Sequence, residues 1–196
     1  MIDPNAKVDP PAWSPWLPSS WPPYPAKVDD AFIETLRRIF QESILDEVDN
    51  VIADANGNLY HRGHVVGIAL LCALDAVAYY GYKDELLGRG RRARKNKALS
   101  QFVAAHFPAD YRPHGQAINK LYRNCMVHNW NLFGAAIESG NQKVKDTRGM
   151  LSFGLLNFRD ALKAGIESFL VNLKTNVALQ ATALRRYKKL RSSAKK

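Results

Sequence analysis

The sequence has little cysteine and no apolar run long enough for a typical membrane span. Its 196 residues contain two cysteines, Cys72 and Cys125, and no CxxC pair that would indicate a zinc site. Both lie in apolar helical surroundings, where a free thiol behaves as a small hydrophobe, which fits a reducing cytosol. The longest apolar run, about 16 residues that include Asp75, favours a buried helix over a membrane span. Since the N-terminus also has no apolar signal core, we expect a cytoplasmic protein.

Acidic residues are absent from two segments that together hold 13 of the 28 lysines and arginines. The segments contain Arg89, Arg91, Arg92, Arg94, Lys95 and Lys97, and then Arg185, Arg186, Lys188, Lys189, Arg191, Lys195 and Lys196. The other 15 basic residues face 18 acidic ones, so the rest of the chain is mildly acidic although the net charge is +10. We expect phosphate contacts at these segments, and the first could guide an RNA backbone. The alternative is that both are only solvated and mobile.

The N-terminal residues 1–26 are too rich in proline for regular helix or strand. Three tryptophans within them, Trp13, Trp16 and Trp21, predict an extended arm that lays its rings on the domain or on a second subunit. A mobile linker or a protein-docking segment is the alternative. The predicted organisation is an arm at 1–26, a helical domain at 27–184 and a basic tail at 185–196.

Apolar periodicity predicts an all-α bundle of about five helices. The predicted helices span about 29–53, 64–80, 96–106 and 116–130, and apolar positions from Phe32 to Val48 form the core face of the first. A fifth helix starts at an Asn157 N-cap that Asp160 completes. Its core face includes Val177, and it continues towards the basic tail. The second is apolar nearly all round, which indicates a central position. Between the last two helices, the segments 132–139 and 150–156 could form a small β-hairpin.

The fourth helix carries the candidate site. Ile118, Leu121, Tyr122 and Cys125 cluster on one side of a helical wheel and define its core face. Asn124 and His128 share a flank of that face, whereas Arg123 projects about 140° away from His128 on an ideal helix. A catalytic site built from these residues needs an arginine that curls back or a second copy of the helix at a dimer axis.

These residue types suit RNA cleavage without a metal. Histidine can serve as general acid or base near neutral pH, and the arginine fork matches phosphate oxygens while it stays charged. Asparagine can orient either group. The alternative is that Arg123 and His128 are solvated or capping groups that flank the core.

The string R-N-x-x-x-H at Arg123, Asn124 and His128 resembles the motif of the HEPN superfamily (higher eukaryotes and prokaryotes nucleotide-binding). The surrounding LYRNCMVHNW, the upstream FVAAHFPADY and the downstream LLNFRDALKAGIESFLVNL are also similar to that family, so the resemblance covers roughly 30–175. It implies a HEPN-like bundle and a metal-independent endoribonuclease that acts as a homodimer, with both copies of the motif in one cleft. Such proteins commonly serve as toxins or in phage defence, so a cognate antitoxin or regulatory protein is a candidate partner.

The resemblance also suggests supporting roles. Asp75 on the central helix could hold the Arg123 guanidinium, although a hydrogen-bonded core acid is the alternative, and Tyr122 would support the site from the core face. We expect no cofactor and no metal, because no acid or cysteine completes a ligand set near His61 and His64. Two other functions remain open: a catalytically silent HEPN-like module that binds nucleic acid or a protein, and a structural protein that assembles through its arm.

Overall fold

The computed structural model describes residues 22, 26–55, 59–83, 85–87, 94–121, 135–138, 144–147 and 150–193. Its helices are α1 (Asp30–Phe40), α2 (Asp46–Asp54), α3 (Leu59–Gly81), α4 (Ala98–His106), α5 (Gly115–Lys120), α6 (Leu155–Leu173) and α7 (Val177–Ser193). Its strands are β1 (Glu85–Leu87), β2 (Arg94–Asn96), β3 (Ala135–Glu138), β4 (Lys145–Thr147) and β5 (Met150–Gly154). The described part of the chain is mostly helical, which confirms the predicted all-α class.

The first predicted helix is present as α1 and α2, joined without a break by a π-helical turn (Gln41–Leu45). The Asp29 carboxylate caps it by accepting a hydrogen bond of 2.9 Å from the Phe32 N–H. The predicted apolar positions from Phe32 to Val48 are buried, except for Ile44, which is half-buried. Their 3.6-residue period therefore predicted the buried face correctly.

Helix α3 is the centre of the fold, as predicted. It contacts α2, α4, α6 and α7, and the side chains of Leu70, Leu71, Leu74, Val77 and Ala78 are fully buried. Its stretch Gly63–Gly81 is long and apolar enough to cross a membrane by length and composition, and 56% of an 18-residue window of it is buried inside the fold. The core helix of a soluble protein passes the same test, so this stretch is weak evidence for a membrane span.

The predicted N-cap of the fifth helix is wrong. Helix α6 begins at Leu155, because β5 runs directly into it and Gly154 stands at the cap position with extended backbone. Asp160, expected to complete the cap, instead accepts a hydrogen bond of 2.9 Å from Arg159. The Arg159 Nε also donates to Asp49 Oδ1 at 2.8 Å, which ties α6 to α2.

The predicted continuation of this helix into the tail is interrupted. The chain turns after Leu173, and the Asn176 side chain accepts a hydrogen bond of 3.1 Å from the Leu179 N–H at the start of α7. Val177, expected on the core face of the fifth helix, is therefore the first residue of α7 and is 76% exposed. Residues 185–193, predicted as tail, belong to α7, because Leu179, Ala183 and Tyr187 recur every four residues and are buried.

The small sheets differ in pairing from the predicted hairpin. Strands β3 and β5 do lie side by side, but they are parallel, and β4 forms the antiparallel pair with β5. Only two residues separate β4 from β5, so a tight antiparallel connection forms between them, whereas the 11 residues between β3 and β5 allow a parallel crossover. A second, unpredicted pair, β1 with β2, is antiparallel and flanks the basic segment.

Helix α5 packs unusually close to α4. A Cβ added at Gly115 would lie 2.7 Å from the backbone oxygen of Ser100, nearer than such atoms approach in proteins. Ile118 and Leu121 on the same helix are buried, as the helical wheel predicted. Glycine at this position therefore sets the approach of the segment that leads into the R-N-x-x-x-H motif.

We expect Gly115→Ala to lower the free energy of unfolding by about 1–3 kcal/mol, the usual cost of overpacking, because the obstacle is backbone that cannot move aside. Urea unfolding followed by circular dichroism measures this change. Lys120→Ala, on an exposed position of the same helix, is the matched control and should change stability little. A Gly115→Ala variant as stable as the control would contradict the close contact.

Candidate functional site

The motif at 123–128 follows directly on α5. The structure places Ile118 and Leu121 in the core, next to the Gly115 contact with α4. Tyr122, Arg123, Asn124 and His128 lie outside the described residues. Their predicted roles therefore stay predictions, and what the structure adds is the buried start of the helix segment that leads to them.

Asp75 is half-buried on α3. Together with Tyr79 of the same helix it lines a groove of about 390 Å³. The other walls come from α1, the π-helical turn and α7 through Ile39, Ser43 and Leu190. None of the described residues of α5 lines this groove. The predicted pairing of Asp75 with Arg123 stays a prediction. The described residues that share the groove with Asp75 belong to α1, the π-helical turn, α3 and α7.

The basic segment between α3 and α4 is a β-ribbon at its base. Strands β1 and β2 pair Glu85 with Asn96 and Leu87 with Arg94, so the chain between them returns on itself. Arg94 and Lys95 lie on β2, and Lys97 is half-buried at the start of α4. The predicted RNA contacts Arg89, Arg91 and Arg92 lie outside the described residues.

The structure reveals a polar cluster around His106 that the sequence reasoning did not predict. His106, at the end of α4, is only 3% exposed. The Tyr82 hydroxyl lies 2.8 Å from its Nε2, and the Ser168 hydroxyl lies 3.3 Å from its Nδ1. Asn172 Nδ2 is 3.5 Å from the same Nδ1. Because a hydroxyl can donate or accept, the two hydroxyls can satisfy either neutral tautomer of the ring.

Aromatic rings enclose the same histidine. The Phe102 ring lies 4.9 Å from the His106 ring centroid, and the Phe169 ring meets it edge-on at 5.5 Å. Burial, together with the nearby charge of Arg112, lowers the pKa of His106 to about 4. Burial also raises the pKa of Tyr82 to about 12. Because the pKa of His106 lies well below 7, its ring accepts a proton poorly at neutral pH. The hydrogen bonds of the cluster connect α4 to α6 and to the end of α3.

The sequence did contain a signal for this cluster. Leu99, Val103 and His106 fall at positions i, i+4 and i+7 of α4, so a helical wheel puts the histidine on the buried face. The two partners on α6, Ser168 and Asn172, are one turn apart and project the same way. Only the packing of α4 on α6 brings the two helices together, and no local pattern predicts that pairing.

A shallow polar groove adjoins the cluster at Tyr82. It has a volume of about 370 Å³ and is also lined by Lys83, Gln101, Asn176 and Thr182. The Gln101 side chain donates a hydrogen bond of 2.7 Å to the backbone oxygen of Lys83. No pair of a nucleophile and a base was found among the described residues that line this groove.

Comparisons with protein-family models, with curated proteins and with solved structures found no match to this chain. What can be said of its activity therefore depends on its own residues.

The stability of the protein should fall between pH 7 and pH 4.5 because of His106. The unfolded histidine takes up a proton near its ordinary pKa of about 6.5, whereas the folded one resists protonation down to about pH 4. Acidification through this window therefore favours unfolding, by about 2 kcal/mol at pH 4.5. Urea unfolding of the wild type and of His106→Gln at pH 7 and pH 4.5 measures the contribution of His106 to this loss of stability.

Ala105→Ser, at the exposed position next to His106 on the same helix, changes no titratable group and is the matched control, which should keep the wild-type pH dependence. If His106→Gln loses as much stability on acidification as the wild type does, the buried neutral histidine is not the cause. Should His106→Gln be too unstable to measure, Tyr82→Phe offers a second test. It keeps the titrating ring and should retain the pH dependence.

Proposed function

We propose that this protein is a metal-independent endoribonuclease of the HEPN type that acts as a cytoplasmic homodimer. The observation that carries the proposal is the R-N-x-x-x-H motif at 123–128 in an all-α chain, placed directly after α5. The buried α5 residues Ile118 and Leu121 support it, since they fit a motif helix that is seated on the core by one face. A toxin or defence effector with a cognate partner protein is the biological role that we propose.

The proposed mechanism needs three groups. His128 acts as general acid or base on the 2′-hydroxyl and the leaving oxygen, and Arg123 stabilises the charge that develops on the phosphorane. Asn124 orients one of them. Because Arg123 and His128 project apart on one helix, the second copy of the motif completes the site. Asp75 and Tyr122 are proposed to support this geometry without touching the substrate.

The basic ribbon between α3 and α4 is proposed to guide the RNA. Its strands β1 and β2 return the chain on itself at 85–96, and six basic residues lie in or beside it without a neighbouring acid after Glu85. Such a concentration of charge attracts a phosphate backbone through counterion release. The ribbon joins the end of α3 to the start of α4, and α5 packs on α4. Because α5 precedes the motif in the sequence, this connection supports a role of the ribbon in guiding RNA to the motif.

Cleavage of RNA in the presence of EDTA, with cyclic phosphate ends, is the expected activity. His128→Ala and Arg123→Ala should each lower it by at least about 100-fold, the usual share of a general acid–base group or an electrostatic clamp. The circular dichroism spectrum should stay that of the wild type. Arg38→Ala, which removes an exposed arginine of α1, is the matched control and should cleave at the wild-type rate.

Mixing the two inactive variants tests the shared site. Mixed dimers carry one intact Arg123 and one intact His128 in the cleft, so part of the activity should return. Cleavage that persists in either single variant, or that requires a divalent metal, would overturn the proposed chemistry. A monomer in solution with full activity would overturn the composite site.

A second function is favoured by the surface of α7. Arg185, Lys188 and Lys189 are exposed on this helix, and its described residues include no acid. A cationic helix face of this kind can hold nucleic acid whether or not the motif is catalytic. The alternative proposal is therefore a catalytically silent HEPN-like module that binds RNA or an acidic protein partner.

RNA binding measured as a function of salt tests the part played by α7. Lys188→Ala with Lys189→Ala should weaken binding for all sequences alike and reduce the slope of log K against log salt by about 2. Lys163→Ala, an exposed lysine of α6, is the control and should leave the slope unchanged. Equal slopes in the wild type and the double variant would remove α7 from the interface.

A further inference from the structure

The N-terminal arm is fixed to the helical domain at one described point. The Tyr187 hydroxyl on α7 donates a hydrogen bond of 2.7 Å to the backbone oxygen of Pro22. Tyr187 itself is fully buried and meets the Phe32 ring edge-on, with centroids 5.3 Å apart. Pro22 therefore lies at the seam between α1 and α7.

An open apolar groove starts close to that point. Two depressions of about 390 Å³ and about 260 Å³ adjoin along α3 and share Ser43, Ile44 and Ala76. The first begins at Leu190, which lies three residues after Tyr187 on the same face of α7. The second ends near Ala69.

The groove exists because α3 presents small side chains on this side. Ala69, Cys72 and Ala76 form its floor, and Cys72 and Ala76 are exposed. Ile44 and Val51 on the neighbouring helix rise beside them and are half-buried. Small residues between larger ones leave a trough that can take flat aromatic rings.

The arm has the length and the side chains to fill this trough. From Tyr79 to Ala69 the groove runs for about 15 Å, at 1.5 Å per helical residue. Trp16 precedes Pro22 by six residues and Trp13 by nine, so in a polyproline conformation they reach about 19 Å and 28 Å from it. Prolines between the tryptophans already restrict the unbound arm, which lowers the entropy lost on docking.

We propose that residues 13–21 lie in this groove of their own chain, with the rings of Trp13 and Trp16 over Ala69, Cys72 and Ala76. Attachment at Pro22 gives the arm an effective concentration in the millimolar range, which a second copy in solution does not have. This inference is independent of the proposed nuclease activity.

The reactivity of the Cys72 thiol shows whether the arm lies over the groove. Alkylation by iodoacetamide, followed at Cys72 by peptide mass spectrometry, separates it from Cys125, the other cysteine of the chain. Replacing two of the three arm tryptophans, Trp13→Ser with Trp16→Ser, should speed alkylation of Cys72 by about tenfold or more. The matched control, Ser14→Ala with Ser19→Ala, changes the same arm without its rings and should react at the wild-type rate.

Equal rates in the tryptophan variant and in the control would overturn the proposal. Protection that grows with protein concentration would also overturn it, because a second copy would then be the cover. Ala76→Arg gives a second measurement from the groove side, at an exposed position where the core is not disturbed. It should release the arm and shift tryptophan emission to longer wavelength, since three of the four tryptophans are in the arm. An unshifted spectrum would count against the groove as the site.

Discussion

The burial of α3 is the constraint on which the rest of the fold depends. This helix is apolar nearly all round, so water exposure of its Leu70, Leu71 and Leu74 would cost several kcal/mol. Four helices, α2, α4, α6 and α7, therefore pack against it. Glycines allow the closest approaches: a Cβ at Gly81 would lie 2.6 Å from the Phe169 ring, and one at Gly165 would lie 2.8 Å from the Phe107 ring. Large aromatic rings thus occupy the space that glycine, which has no side chain, leaves on the neighbouring helix.

Polar contacts then determine how the helices around α3 are oriented. The His106 cluster joins α4 to α6 inside the core, where each group costs stability unless it is hydrogen-bonded. The Arg159–Asp49 contact joins α6 to α2 nearer the surface, so solvent weakens it. The buried cluster is consequently the stronger constraint on geometry. Its neutral histidine also makes the fold depend on pH, whereas exposed pairs such as Arg38 with Glu42 add little.

The sequence predicted those features that depend only on the spacing of apolar residues within a single helix. The core faces of α1 and α4 and the central position of α3 follow from apolar spacing, and the structure confirms them. The α6 N-cap was mispredicted because β5 leads straight into α6. The helical structure of 185–193 was not predicted, because it depends on a tertiary contact, the burial of Tyr187 beside Phe32. The His106 cluster required knowledge of which helices are neighbours. For the motif itself, the period of α5 predicted buried Ile118 and Leu121, while Arg123 and His128 remain a prediction from the sequence.

The two sides of α3 have different surroundings, and this difference separates the two proposals. Towards α4 and α6 the helix meets large rings and is closed by packing, and α5, which precedes the motif in the sequence, contacts α4 at Gly115. Towards the π-helical turn and α2 it presents Cys72 and Ala76, which leave a trough that no described residue fills. Leu190 of α7 stands at one end of this trough. Alanines at exposed helix positions favour the helix. A row of them beside half-buried Ile44, however, leaves apolar surface in contact with water, and no described side chain packs over it. We propose that the tryptophan-rich arm, attached at Tyr187 one turn from Leu190, covers this surface, and its tether keeps the entropic cost of docking small.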